Sequence, residues 1–169
     1  MDDELVGVLR REHRLLELLL FRLVAMRHLL VAGDVRFLSR AAAEIRIALD
    51  RVRETEVLRA VLSERLYRTC GLDGGCTLRA IAGARPSPYG VIYDDLRDRL
   101  EAAFREAVDV SSSVEALATA GLNGLELQPV PPVGDHEARL DQLKARQGLE
   151  AALVASRGVI LDSLAESLC

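Results

Sequence analysis

At 169 residues, half of them hydrophobic, the chain suits one domain with a substantial core. It has no Trp, three Phe and three Tyr, so that core is built of Leu, Val, Ala and Ile, side chains that suit closely packed helices. The formal charge of −4 argues against a nucleic-acid-binding protein, because the arginines are spread among acidic neighbours, as in ELVGVLRREHRLLE and DDLRDRLEAAFRE, and form no basic cluster.

The first helix is expected over about 3–31. Leu5, Leu9, Glu12, Leu16, Leu19, Leu23, Met26 and Leu30 step alternately by 4 and 3, a heptad seam interrupted by one carboxylate. Val8, Leu15, Leu20 and Val24 widen the apolar stripe, which implies more than one helical neighbour. Ala32-Gly33-Asp34 ends the helix: Gly33 suits a left-handed C-cap and Asp34 suits an N-cap for the next. So short a connection predicts an antiparallel hairpin with a second helix over about 35–70. There Leu38, Ala42, Ile45, Leu49 and Val52 keep the seam, Glu56 falls on it, and the apolar line resumes, shifted, through Leu58, Leu62 and Leu66. Glu12 and Glu56 are read as seam charges that meet solvent or an arginine, in preference to a buried acidic pair.

Cys70-Gly-Leu-Asp-Gly-Gly-Cys76 is a flexible turn, after which Thr77 caps a short helix over about 77–84 that ends at Arg85-Pro86-Ser87-Pro88. A third long helix is expected over about 89–120. Its seam runs through Tyr93, Leu96, Leu100, Ala103, Ala107, Val110, Val114 and Leu117, again in steps of 3 and 4. Ser111-Ser112-Ser113 lowers helix propensity in the middle of it. Residues 122–136 hold Pro129, Pro131 and Pro132 and read as an extended linker between a bundle over 1–121 and a last helix over 137–169. The expected fold is therefore all-α: a long antiparallel hairpin, a third long helix and a C-terminal helix in a coiled-coil-like bundle.

Residues that carry catalysis or metal binding are missing from this pattern. None of His13, His28 and His136 has a Glu three residues before it, as a di-iron bundle would need. No glycine-rich phosphate loop joins a strand to a helix. Three cysteines, Cys70, Cys76 and Cys169, make no framework, and with no His near the first two a zinc site lacks ligands. Free cytosolic thiols are the favoured reading over a Cys70–Cys76 loop disulfide. The acidic N-terminus does not read as a signal peptide, and the most apolar stretch, residues 15–32, carries Glu17, Arg22, Arg27 and His28, which are costly in a bilayer. No enzyme activity, cofactor, metal or membrane span is expected, and the location is expected to be cytoplasmic.

The order of elements, with Gly33-Asp34, Leu38, Glu44, Leu49 and Glu56-x-x-Arg59-x-x-Leu62 in the second helix, resembles the FlgN type of flagellar export chaperone. Thr77-Leu78 followed by Leu96-Arg97-x-x-Leu100 is similar to that family's next section. The resemblance covers about residues 5–120; it departs at Ser111–Ser113, where the family tends to carry Asn, and finds no counterpart for the linker and last helix. It implies a cytosolic type III export chaperone whose clients are hook-associated, hook–filament junction proteins. The chaperone would hold their C-terminal amphipathic helix until an export-apparatus component receives the complex. The expected partner-binding surface lies on the irregular last helix: Leu140, Leu143, Leu153, Ile160, Leu161 and Leu164. A structural or regulatory coiled-coil homo-oligomer is the alternative, and a homodimer is left open.

Overall fold

The computed structural model describes residues 1–72, 74–132 and 134–159. It is an all-α helical bundle: α1 (Asp2–Val31), a single 3-10 turn (Val35–Phe37), α2 (Leu38–Thr69), α3 (Leu78–Ala84), α4 (Tyr89–Glu126) and α5 (His136–Arg157). The described residues fall into two compact units, Met1–Leu18 with Ala48–Glu106 and Leu19–Ile47 with Ala107–Val159, so that α1, α2 and α4 each contribute to both.

In the first unit the heptad positions of α1 and α4 go to the interior: Leu5, Leu9, Leu16, Tyr93 and Leu100 are fully buried, joined by Val52 and Leu66 of α2 and Ile81 of α3. The start of α1 is fastened to the corner between α3 and α4. Asp2 accepts from Arg85 Nε at 2.8 Å, from a second guanidinium nitrogen of Arg85, and from the Tyr93 hydroxyl at 3.0 Å; Asp3 accepts from the Tyr89 hydroxyl at 2.9 Å. These donors, the Arg85 guanidinium foremost, hold the Asp2 carboxyl below the usual carboxylate range. Thr77 caps α3 as its sequence predicts, accepting from the Ala80 amide at 3.1 Å.

The α2 seam in this unit departs from expectation. Leu58 is 49 % exposed, while Glu56, Arg59 and Ser63 are buried. The heptad therefore continues without a shift through Val52, Glu56, Arg59, Ser63 and Leu66, and polar side chains occupy it. The reason is an ion pair across the helices. Arg59 Nε lies 2.9 Å from Glu12 Oε2 and donates to Oε1 at 3.1 Å, and both side chains are almost wholly out of solvent. Of the two readings of the seam carboxylates, the pairing of Glu12 with an arginine holds, but inside the core and beside a second buried carboxylate.

In the second unit α1 ends in a Schellman turn: Gly33, at φ +67°, donates to the Leu30 carbonyl at 3.1 Å, and the Asp34 amide donates to Leu29 at 3.0 Å. Asp34 makes no side-chain cap; its carboxylate takes two bonds from Arg36, at 2.9 and 3.0 Å. The chain makes the 3-10 turn before α2 begins. Leu19, Leu23 and Met26 of α1, Leu38, Ala42 and Ile45 of α2 and Ala107, Val110, Val114 and Ala118 of α4 are buried in this unit, the α4 seam closing on Ala118 rather than on half-buried Leu117. Helix α4 runs through Gly121 and Gly124 to Glu126, beyond the expected end near 120, so the proline-bearing connection is confined to 127–135.

The Glu12–Arg59 pair has a pH signature. Burial outweighs the attraction of Arg59, and the negative charge of Glu56 adds to it, so the Glu12 carboxyl is pushed up to about 7. A carboxyl that binds its proton more tightly when folded contributes stability below its ordinary range, and that contribution is lost as pH rises to about 7. The loss is of order 3 kcal/mol. We expect urea unfolding to show lower stability at pH 8 than at pH 5, and Glu12→Gln, neutral throughout, to remove most of that difference. Equal pH dependence in both proteins would contradict the assignment.

Candidate partner-binding site

Helix α5 begins where Asp135 caps it, accepting from the Ala138 amide at 3.0 Å, and ends at Gly158. Its buried residues are Gly148, Leu149, Ala152, Ala155 and Ser156, mostly small and spaced by 3 and 4. Small side chains bring its backbone close to its neighbours. A Cβ on Gly148 would stand 3.1 Å from Leu38 Cβ and 3.2 Å from the Val35 carbonyl, and Leu149 fills the space beside Gly121. The buried Ser111 hydroxyl donates to the Ser156 carbonyl at 2.7 Å, and Arg157 pairs with Glu115 at 2.9 Å. Ser111 thus fastens α5 to α4, and the serine run leaves α4 unbroken.

Docking by small residues turns the larger ones outward. Leu140 and Leu143 are each about half exposed, at 50 % and 52 %, and Val154 more so. Leu143 lines a groove of about 350 Å³ together with Leu122 and Leu125 from the end of α4 and Val130 from the connection; Arg139, Arg146 and Glu126 also line it. Leu127 and Val130, at 87 % and 78 % exposed, extend the apolar surface at this end of the unit.

Of the six residues expected to bind a partner, the structure therefore places Leu143 in the groove and Leu140 exposed one turn before it. Leu153 is half-buried away from the groove lining, and Ile160, Leu161 and Leu164 lie outside the described residues. Leu122 and Leu125 were not anticipated. Their three-residue spacing continues a helical face, but Gly121, Asn123 and Gly124 read as a break.

Among the described residues, no group of three or more His, Cys, Asp or Glu side chains could hold a metal ion, and no helix is long and apolar enough to cross a membrane. Cys70 and Cys76 are free, half-buried thiols, and burial raises the Cys76 pKa, helped by the nearby Glu64 carboxylate. No family model, curated protein or solved structure matches the chain.

Two glycine substitutions, one at the seat of α5 and one at an open position of α1, are expected to have opposite effects. Gly148→Leu must displace Leu38 or the Val35 carbonyl and should cost about 1–3 kcal/mol, read as a thermal midpoint several degrees lower by circular dichroism. Gly7→Ala, in an exposed stretch of α1 with open space around it, should stabilise by up to about 1 kcal/mol. An unchanged midpoint for Gly148→Leu would mean that α5 does not seat against Leu38.

Proposed function

We propose that the chain is a cytosolic, non-enzymatic export chaperone of the FlgN type, which holds the C-terminal amphipathic helix of hook–filament junction proteins and keeps it from assembling before export. The observation that carries this reading is the α4–α5 groove, in which Leu122, Leu125, Val130 and Leu143 form an apolar floor beside Arg139 and Arg146. An amphipathic helix laid there would bury its leucine row, and each large side chain fully buried is worth roughly 1.5–3 kcal/mol before ordering costs. The resemblance of residues 5–120 to the FlgN type implies the class of client, hook–filament junction proteins, and an export-apparatus component that would receive the complex.

A second reading rests on α2. Val57, Leu58 and Val61 are 65 %, 49 % and 46 % exposed and lie on one face of the helix, outside a seam filled by Glu56, Arg59 and Ser63. Such a stripe suits a homo-oligomer in which the chain acts as a structural or regulatory coiled coil.

One experiment separates the two. The chain is co-expressed with the host's hook-associated proteins, intact and lacking their C-terminal helices, and complexes are sized by light scattering after gel filtration. The chaperone reading expects a complex that requires the C-terminal helix. It also expects Leu140→Ser with Leu143→Ser to weaken that complex by about tenfold or more while the helical melt is unchanged. A stable homo-oligomer with no client complex, dispersed by Val57→Ser with Val61→Ser, would replace it with the second reading.

A further inference from the structure

The first unit carries another groove, of about 540 Å³, between α1 and α4. Its lining is mixed in a specific way. Ile92 and Leu96 form an apolar base, and Val91, 68 % exposed, extends it to the surface. Arg10 and Arg14 line the α1 side, one helical turn apart. Among the described residues neither pairs with a carboxylate. The neighbouring charges are accounted for: on α4, Arg99 is tied to Asp95 at 3.1 Å, and on α1, His13 lies 3.6 Å from Glu17. By contrast, Arg97 on the same α4 is hemmed in by Asp94, Asp98 and Glu101. In a chain whose formal charge is −4, the α1 side of this groove therefore presents two guanidinium groups that no described carboxylate pairs, beside apolar side chains.

We propose that this groove is a docking site for an acidic amphipathic helix of a partner protein, one whose apolar row is bordered by Asp or Glu side chains one turn apart. Complementarity of two kinds selects that occupant. The apolar base, with Val91 standing in water, gains by burial against a leucine row, which a free phosphate or a nucleic-acid backbone does not offer. Arg10 and Arg14 repeat at the interval at which carboxylates repeat along one face of a helix, and guanidinium forks bind carboxylates with two parallel bonds. The site belongs to the first unit and stands independently of the client groove of the second.

The test uses the full chain and a labelled synthetic helix with a leucine row and Glu at i and i+4, followed by fluorescence anisotropy. Binding is expected to weaken as salt rises, and to fall about tenfold or more in Arg10→Glu with Arg14→Glu. Val91→Ser should also weaken it, and Arg11→Glu, on a neighbouring exposed position, should not. The double charge reversal should in turn bind a peptide carrying Lys in place of Glu, which shows that the variant is folded and that the contact is direct. Three results would overturn the proposal: equal binding of a peptide with Gln for Glu, no gain for the Lys peptide with the reversed variant, or a single-stranded oligonucleotide displacing the peptide at comparable affinity.

Discussion

The Glu12–Arg59 pair constrains the first unit more than any leucine in it. Leucine seams repeat every seven residues, so two helices joined only by leucines are satisfied about as well after sliding by one heptad. Arg59 occurs once. Shifted by seven residues, Glu12 would face Val52 or Leu66, leaving a buried carboxylate without its guanidinium. The ionised pair adds no net stability, since burial of the carboxylate outweighs the attraction of Arg59 and pushes the carboxyl up to about 7. What it supplies is a penalty on every alignment of α1 with α2 except one. Asp2, clasped by Arg85 and Tyr93, acts likewise on the start of α1.

The second unit reaches a single alignment by other means. Where α5 meets α2 and α4, the contacts are Gly148 on Leu38, Leu149 beside Gly121, and the Ser111 hydroxyl on the Ser156 carbonyl. At the first two points close backbone approach needs a glycine facing a bulky side chain, and sliding by a turn would set bulky residues against each other. Because small residues do the seating, Leu140, Leu143 and Val154 are not consumed by the core. The apolar surface available to a partner thus follows from how the helix is held in place.

The same division explains what could be read from the sequence. Leu, Val and Ile at heptad spacing located α1, α2 and α4 and most of the interior, because burial of large aliphatic side chains is periodic and local. The errors cluster where small or polar residues carry the packing. The α2 seam was followed through Leu58 because Arg59 and Ser63 are not apolar, yet an arginine facing a carboxylate keeps its place in the heptad. The proline-bearing stretch places the end of α4 near 120 in the sequence, whereas the helix continues through Gly121, beside which Leu149 packs, to Glu126. In α5 the large residues suggest the binding face, and the residues that dock are Leu149 and the small Gly148, Ala152, Ala155 and Ser156. Of the candidate site, only Leu143 was named and found in the groove, since the rest of its lining depends on where α4 stops and how the connection returns.

The two grooves differ in what they ask of an occupant. The α4–α5 groove is apolar along its floor, with one of its arginines, Arg146, already engaged by Glu150 at 2.9 Å. Burial of leucine surface on its four apolar side chains is the contribution this groove offers an occupant beyond its charges. The α1–α4 groove is lined by Val91, Ile92 and Leu96 and by two guanidinium groups, of Arg10 and Arg14, that no described carboxylate pairs, so charge weighs on what it accepts. Apolar burial is insensitive to salt, whereas contacts to exposed guanidinium groups weaken as salt rises. On the two proposals, a partner held through the α4–α5 groove would resist salt and one held through the α1–α4 groove would be released by it.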